Sequence, residues 1–221
     1  MKKLMIICGG QSTEHSISRM SCTSVLKNLH RERYVLTLVG IDRDGQWYLL
    51  DDTQEDLSLD SWLDNAQEIT DIYNLLKNQD VIFPVLHGQY GEDGTIQGLF
   101  ELVNVPYVGC RTFASSVAMD KIYTKKILET VGIPQVKSLY IKKRYDEQYV
   151  VVDHQFQEHK DILNWVEDKL GFPCFVKASR SGSSVGCYRV DQKEQFLDIL
   201  HQAGQYDSHI VIEECIDCIE L

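Results

Sequence analysis

No apolar run in this chain approaches the ~20 residues needed to span a bilayer, which removes membrane-spanning helices from consideration. Basic side chains are in deficit: 22 lysines and arginines face 33 aspartates and glutamates, a net charge of −11. This argues against nonspecific nucleic-acid binding, which needs a basic face to displace counterions. Nucleotides are not excluded, because a few lysines in one cleft suffice locally. A secretory leader is not expected either. Met1-Lys2-Lys3 carries the right charge, but the apolar run Leu4 to Cys8 is too short and stops at Gly9-Gly10-Gln11, so it reads as a first β-strand. Seven cysteines form an odd set without a leader, and reduced thiols in the cytoplasm are expected. Cys215-Ile216-Asp217-Cys218 is a CxxC with no second pair for zinc and no strand-then-helix setting for redox work. Internal repeats and low-complexity tracts are absent.

What is present is ordinary for a soluble globular protein: 43% apolar and 25% charged residues over 221 positions, enough for one large or two small domains. Leu4 to Cys8 is followed by a glycine turn and a helix over residues 14–29, with Ile17, Met20, Val25 and Leu29 as its apolar stripe. Residues 34–41 form a second strand, Asp42-Arg43-Asp44-Gly45 a turn, and Gln46 to Leu50 a further strand. Residues 51–71 are acidic and weakly patterned, and are expected to face solvent. The short apolar run Val81 to Leu86 suits a strand buried on both faces of a parallel sheet. A doubly wound first domain follows, with ligands at the carboxyl ends of its strands.

A second unit starts near Asp120. Its helices over 120–131 and 160–170 end in Gly132-Ile133-Pro134 and Gly171-Phe172-Pro173, a glycine cap and then a proline stop. A hairpin, a helix over 193–203 capped by Asp191, and a last strand Ile210 to Glu214 complete it. Residues 142–160 are polar and read as a surface loop. The boundaries expected are 1–119 and 120–221.

Three segments carry candidate chemistry. Phe175-Val176-Lys177 delivers a lysine into the hydroxyl-rich loop Ala178 to Gly186, with strands on both sides. A Walker A loop places its lysine after the glycines and opens a helix, so this is a flap over a polyanion or a plain hairpin with a polar tip. Gly9-Gly10-Gln11-Ser12-Thr13-Glu14 is no GxGxxG; Glu14 either meets an ammonium group or complements the helix dipole. His87 to Gly98 holds four glycines in twelve residues, as a binding loop requires, with His87 placed to touch a carboxylate or to cap. Glu92 and Asp93 read as capping acids rather than metal ligands. Lys121 opens a helix where a bound phosphate would suit it. Ile212-Glu213-Glu214 reads as an edge strand entering a turn, whose backbone amides could pair with an adenine edge.

In order, the phrases GGQSTEHSIS, FPVLHGQYGEDGTIQGLFEL, VPYVGC, MDK and FVKASRSGSSVG resemble the D-alanine–D-alanine ligase family of ATP-grasp enzymes, with its D-alanine–D-serine and D-alanine–D-lactate relatives. The resemblance implies an α/β fold: an N-terminal parallel-sheet (pre-ATP-grasp, Rossmann-like) substrate-binding domain, then the central α+β subdomain of an ATP-grasp fold. It implies ATP-dependent joining of two D-alanines through an acylphosphate, for peptidoglycan precursors. Glu14 is implied to orient the first D-alanine's ammonium, and His87 to lie near its carboxylate. Lys121 and Lys177 would contact phosphate on either side of the nucleotide. Ser183 would organise the first substrate with Glu14 and a distant tyrosine, and Ser183 and Ser184 would contact the nucleotide. Glu213, Glu214 and Ile216 fall at the adenine linker and Glu220 at the ribose carboxylate, although Asp217-Cys218-Ile219 replaces the usual glycine turn there. A homodimer through the N-terminal domain is implied by analogy.

The family's magnesium ligands, oxyanion arginine and substrate tyrosine would follow Leu221. No metal ligand is therefore assigned, and this chain alone is expected not to ligate. A D-alanine–D-serine or D-alanine–D-lactate ligase and a noncatalytic ligand-binding fragment are the alternatives.

Overall fold

The computed structural model describes residues 1–152 and 161–219, which divide into two compact units, Met1–Ser116 and Val117–Leu221. In the first unit the elements run β1 (Lys2–Gly9), α1 (His15–Asn28), β2 (Tyr34–Ile41), β3 (Trp47–Leu49), β4 (Gln67–Glu68), α2 (Ile72–Lys77), β5 (Val81–Pro84) and α3 (Thr95–Val103). Then α4 (Thr112–Met119) carries the chain onward. The sheet has the order β4-β3-β2-β1-β5, parallel across β2, β1 and β5 and antiparallel at β3 and β4. Strand side chains alternate between faces. Met5 and Ile7 therefore pack with Val39, Ile82 and Phe100, while Leu4, Ile6 and Cys8 pack with Cys22, Leu38 and Trp62. Both faces are covered, which is why β1 reads as an unbroken apolar run.

The second unit contains α5 (Lys121–Thr130), β6 (Ser138–Lys143), β7 (Tyr149–Val151), α6 (Ile162–Lys169), β8 (Cys174–Ala178), β9 (Cys187–Val190), α7 (Phe196–Ala203) and β10 (His209–Glu214). Its sheet is antiparallel, ordered β7-β6-β10-β8-β9. Cys174 and Val176 of β8 and Ile210 and Ile212 of β10 turn inward onto Val166 of α6 and Phe196 and Leu200 of α7. The same alternation sends Lys177 and Glu213 to the opposite face, which is how two charged residues occupy central strands without entering the core.

Five expectations need correction. Ile17 and Met20 of α1 are exposed, and the buried face is instead His15, Ser18, Arg19, Cys22, Thr23 and Leu26. That face is polar because it hydrogen-bonds to strand ends rather than to a smooth apolar sheet. Residues 51–71 do not simply face solvent. Leu57 and Trp62 are buried, with the Arg19 guanidinium donating to the Leu57 and Leu59 carbonyls and lying 4.6 Å over the Trp62 ring. Residues 142–160 are not one loop: β6 reaches Lys143, and β7 pairs with it and buries Val151. Residues 153–160 lie outside the described set. Asp191 does not cap the helix; it binds Arg189, while Gln195 Oε1 accepts the Asp191 and Gln192 amides. Finally, β10 is the central strand of its sheet, not an edge.

Candidate functional site

In the first unit, the turn after β1 is built by close approach. Gly9 has φ +90°, and a Cβ there would stand 2.1 Å from the Ile41 carbonyl oxygen. Gly10 N–H donates to that oxygen at 2.7 Å, and Gly10's own carbonyl accepts from His15 Nδ1 at 2.7 Å. A carbonyl can only accept, so Nδ1 carries the proton. Burial pushes the His15 pKa down and keeps the ring neutral.

The serines of α1 and its leading turn fix the ends of β1 and β5. Ser18 Oγ accepts the Gly9 amide at 2.8 Å and donates to the Val85 carbonyl. Ser12 Oγ donates to the His87 carbonyl at 2.7 Å, and Ser21 Oγ lies 3.0 Å from His87 Nε2. Glu14 stands at the N-cap of α1 without a side-chain capping bond. A Cβ on Gly88 would come within 2.6 Å of its Oε2, so Glu14 and the His87-Gly88 strand end face the same small space. Glu92 accepts the Gly88 amide and lies 3.8 Å from His87 Nδ1, while Asp93 accepts the amides of Tyr90 and Thr95. A cavity of about 300 Å³ opens nearby, lined by Gly10, Gln11, Leu86, His87 and Tyr90 among others.

In the second unit, the loop between β8 and β9 is pinned at its base from two sides. Asp120 caps α5 through the Ile122 and Tyr123 amides and accepts from Ser179 Oγ at 2.6 Å. Lys121 Nζ donates to the carbonyls of Ala178, Ser179 and Ser181. Burial pushes its pKa down, and the nearby Lys177 ammonium pushes the same way. On the other side Asp207, with a side chain 2% exposed, accepts the Arg180 amide, the Arg180 guanidinium and the His209 amide. Burial raises its pKa, but these hydrogen bonds outweigh burial and the net direction is down. Above this base the tip turns through left-handed Ser183 and Ser184, at φ 48° and 62°. Behind the loop, Glu213 bridges two lysines, Lys177 Nζ at 2.5 Å and Lys125 Nζ at 2.8 Å. Burial again raises the carboxyl pKa, and again the partners outweigh it.

Residues 3–110 match the family described as D-ala D-ala ligase N-terminus, and residues 127–221 match D-ala D-ala ligase C-terminus. The chain belongs to the D-alanine–D-alanine ligase family. The D-alanine–D-alanine ligase of Acetivibrio thermocellus is 39% identical over 243 residues, taking in 98% of this chain and 62% of that protein. This chain thus spans less than two thirds of the curated relatives it matches. Among solved structures, the VanG D-Ala:D-Ser ligase of Enterococcus faecalis superposes with a TM-score of 0.82 at 31% identity, covering 98% of this chain and 63% of that one. The D-alanine–D-alanine ligase of Coxiella burnetii gives 0.82 at 32% identity, covering 98% and 64%. The fold class is accordingly the mixed α/β architecture of the ATP-grasp ligases.

Against what the family resemblance implies, Glu14 and His87 come together in the first unit, and Lys121, Lys177, Ser183, Ser184 and Glu213 occupy one loop-and-sheet region of the second. Lys177 is engaged by Glu213 rather than held out alone, and Lys121 is turned onto loop carbonyls. Glu214 N–H donates to the Lys137 carbonyl, so that amide is already taken. Ile216 is half exposed in a segment without regular structure. Glu220 lies outside the described residues. No group of three His, Cys, Asp or Glu side chains that could hold a metal occurs among the described residues. Sequence reasoning missed Ser21, Lys125 and Asp207. The four-residue spacing of Lys121 and Lys125 on one helix face was the available signal.

Proposed function

We propose that this chain supplies the first-substrate site and the nucleotide site of an ATP-dependent ligase that joins two D-alanines for peptidoglycan precursors. What supports the first half is the Glu14 carboxylate facing the His87-Gly88 strand end, two motifs far apart in sequence that share one space. A carboxylate there suits the ammonium of an amino acid, and a histidine beside it suits the carboxylate. What supports the second half is a serine loop with left-handed tip residues and lysines at its root, a cradle for phosphate oxygens.

In this reading the D-alanine carboxylate oxygen attacks the γ-phosphorus and ADP departs, leaving an acylphosphate. The amine of a second D-alanine then attacks the acyl carbon, phosphate leaves, and the amine gives up a proton. Attack by one anion on another is opposed by charge, and Lys121 and Lys177 lower that barrier by positive charge near the transferring phosphoryl group. Ser183 and Ser184 hold phosphate and substrate oxygens from above. Glu213, Glu214 and Ile216 border the adenine, with Glu220 at the ribose. The same reading carries a cytoplasmic homodimer formed through residues 1–119.

Isothermal titration tests the two halves separately. D-alanine should bind saturably and L-alanine should not, and Glu14→Gln should weaken D-alanine at least about tenfold by removing a charge-assisted contact. A non-hydrolysable ATP analogue should bind, and Lys177→Ala should weaken it by a similar factor. Equal affinity for the two alanine enantiomers, or Lys177→Ala without effect, would overturn the respective half.

A further inference from the structure

Lys125 has no role in the chemistry so far, yet it is more enclosed than Lys177. Its side chain is 13% exposed, against 26% for Lys177, and both reach the two oxygens of one Glu213 carboxylate that is itself 12% exposed. The geometry follows from the fold. Lys121 and Lys125 lie one helical turn apart on the face of α5 that meets β10, and Lys177 and Glu213 share the outer face of adjacent strands. Two ammonium groups on one carboxylate leave a surplus positive charge. Lys177 is the more exposed partner and the one nearest the loop.

An oxyanion arriving under the loop can use Lys177 only if that ammonium leaves Glu213. Departure would strand a nearly buried carboxylate beside an incoming polyanion, an arrangement penalised by both desolvation and repulsion. Lys125 removes that penalty, since its own bond to Oε1 does not involve Lys177. We propose that Lys125 is a positioning residue: it retains and neutralises Glu213 so that Lys177 can transfer from the carboxylate to a phosphate oxygen. This rests on the nucleotide-site reading of the second unit.

The test is a double-mutant cycle with inorganic tripolyphosphate as probe, read by isothermal titration on the 221-residue chain. Lys125→Met should weaken binding at least about tenfold with Glu213 present and less than about twofold in the Glu213→Gln background, because its effect passes through that carboxylate. Lys125→Arg, which keeps the bridge, should stay within about twofold of the parent. Equal weakening in both backgrounds would overturn the proposal and make Lys125 a direct phosphate contact. A ligand-free measurement separates this from failure of the nucleotide reading. By carbon-13 NMR the Glu213 carboxyl should still titrate below the usual carboxylate range in Lys177→Met, and rise above it only when Lys125→Met is added. If the parent chain ignores tripolyphosphate, the nucleotide reading fails and this titration alone decides the role of Lys125. A rise in Lys177→Met alone sinks it.

Discussion

The two loops are held by different means. The turn after β1 is laced by neutral hydroxyls, with Ser12, Ser18 and Ser21 bonded to the ends of β1 and β5, and the Glu14 and Glu92 carboxylates stand at the Gly88 strand end. The loop after β8 is held by ions: Asp120, Lys121, Arg180 and Asp207 at its base, and Lys125, Glu213 and Lys177 behind it. A site for a small zwitterion gains from a neutral frame, because a carboxylate then sets the direction of the ammonium. A polyanion site gains from movable charge. The difference in scaffolding therefore parallels the difference in proposed ligand, and it is open to direct attack.

The largest effect should come from backbone crowding at the neutral loop. Gly9→Ala puts a methyl group 2.1 Å from a backbone oxygen at φ +90°, and should cost about 4 kcal/mol from overpacking plus strain. Gly186→Ala in the charged loop, with φ +68° and the Ala178 Cβ at 2.8 Å, meets a less severe overlap than a backbone oxygen at 2.1 Å and should cost about 2 kcal/mol. Urea denaturation measures both, and the reverse order would mean the charged loop is the stiffer one.

Next in size are the polar anchors. Ser18→Ala orphans a buried amide and a buried carbonyl, for about 2–3 kcal/mol, unchanged by salt. Asp207→Ala removes the acceptor for two amides, but the half-exposed Arg180 can turn to water, so about 1–2 kcal/mol is expected. The part owed to the ion pair should shrink in molar salt. Salt series on both variants decide whether hydroxyl and ionic scaffolds behave differently at all.

How much of this could be read beforehand varies with the range of the interaction. The strands 34–41 and 81–86, the glycine caps at 132 and 171 and the hairpin around the lysine loop follow from local period and turn chemistry, and the structure has them. Of the expected stripe on α1, Val25 and Leu29 pack against the core but Ile17 and Met20 do not. A helix period assumes an apolar partner all along, whereas Ser18 bonds to strand ends. Trp62 and Leu57 were hidden in an acidic stretch whose weak pattern gave no sign that Arg19 would draw it down. Glu14, His87 and Lys177 were legible because glycine and serine flank them. Lys125 and Asp207 were not, since a lysine in a helix and an aspartate before a strand look like solvated surface until tertiary contacts assign them partners.

Acid should separate the two scaffolds in sequence. His15 has its pKa lowered by burial, so its contribution is complete above the unfolded value of about 6.5 and is lost as pH falls through the lower folded value. Asp207 and Glu213 are also lowered, and their contribution is complete above an unfolded value of about 4 and lost only as pH falls further. Hydrogen exchange followed from pH 7 downward should show the amides of Gly9, Gly10 and their neighbours losing protection before those of Arg180 and His209. Simultaneous loss would remove His15 as the more acid-sensitive support.

The smallest effect sharpens what counts as a charged scaffold. Arg189 and Asp191 pair at 2.8 Å in the same unit, but their side chains are 55% and 60% exposed. Exposed pairs forfeit in hydration and side-chain entropy most of what they gain by attraction, so Asp191→Ala should cost under about 0.5 kcal/mol. Gln195→Ala should cost more, about 0.5–1 kcal/mol, because Gln195 accepts the amides that open the turn before α7. Thermal melts of the two variants would decide it. If Asp191→Ala proved the costlier, the carboxylate would be doing a cap's work after all. If it matched Asp207→Ala, burial would no longer distinguish the ions that hold the loop from those that merely lie near it.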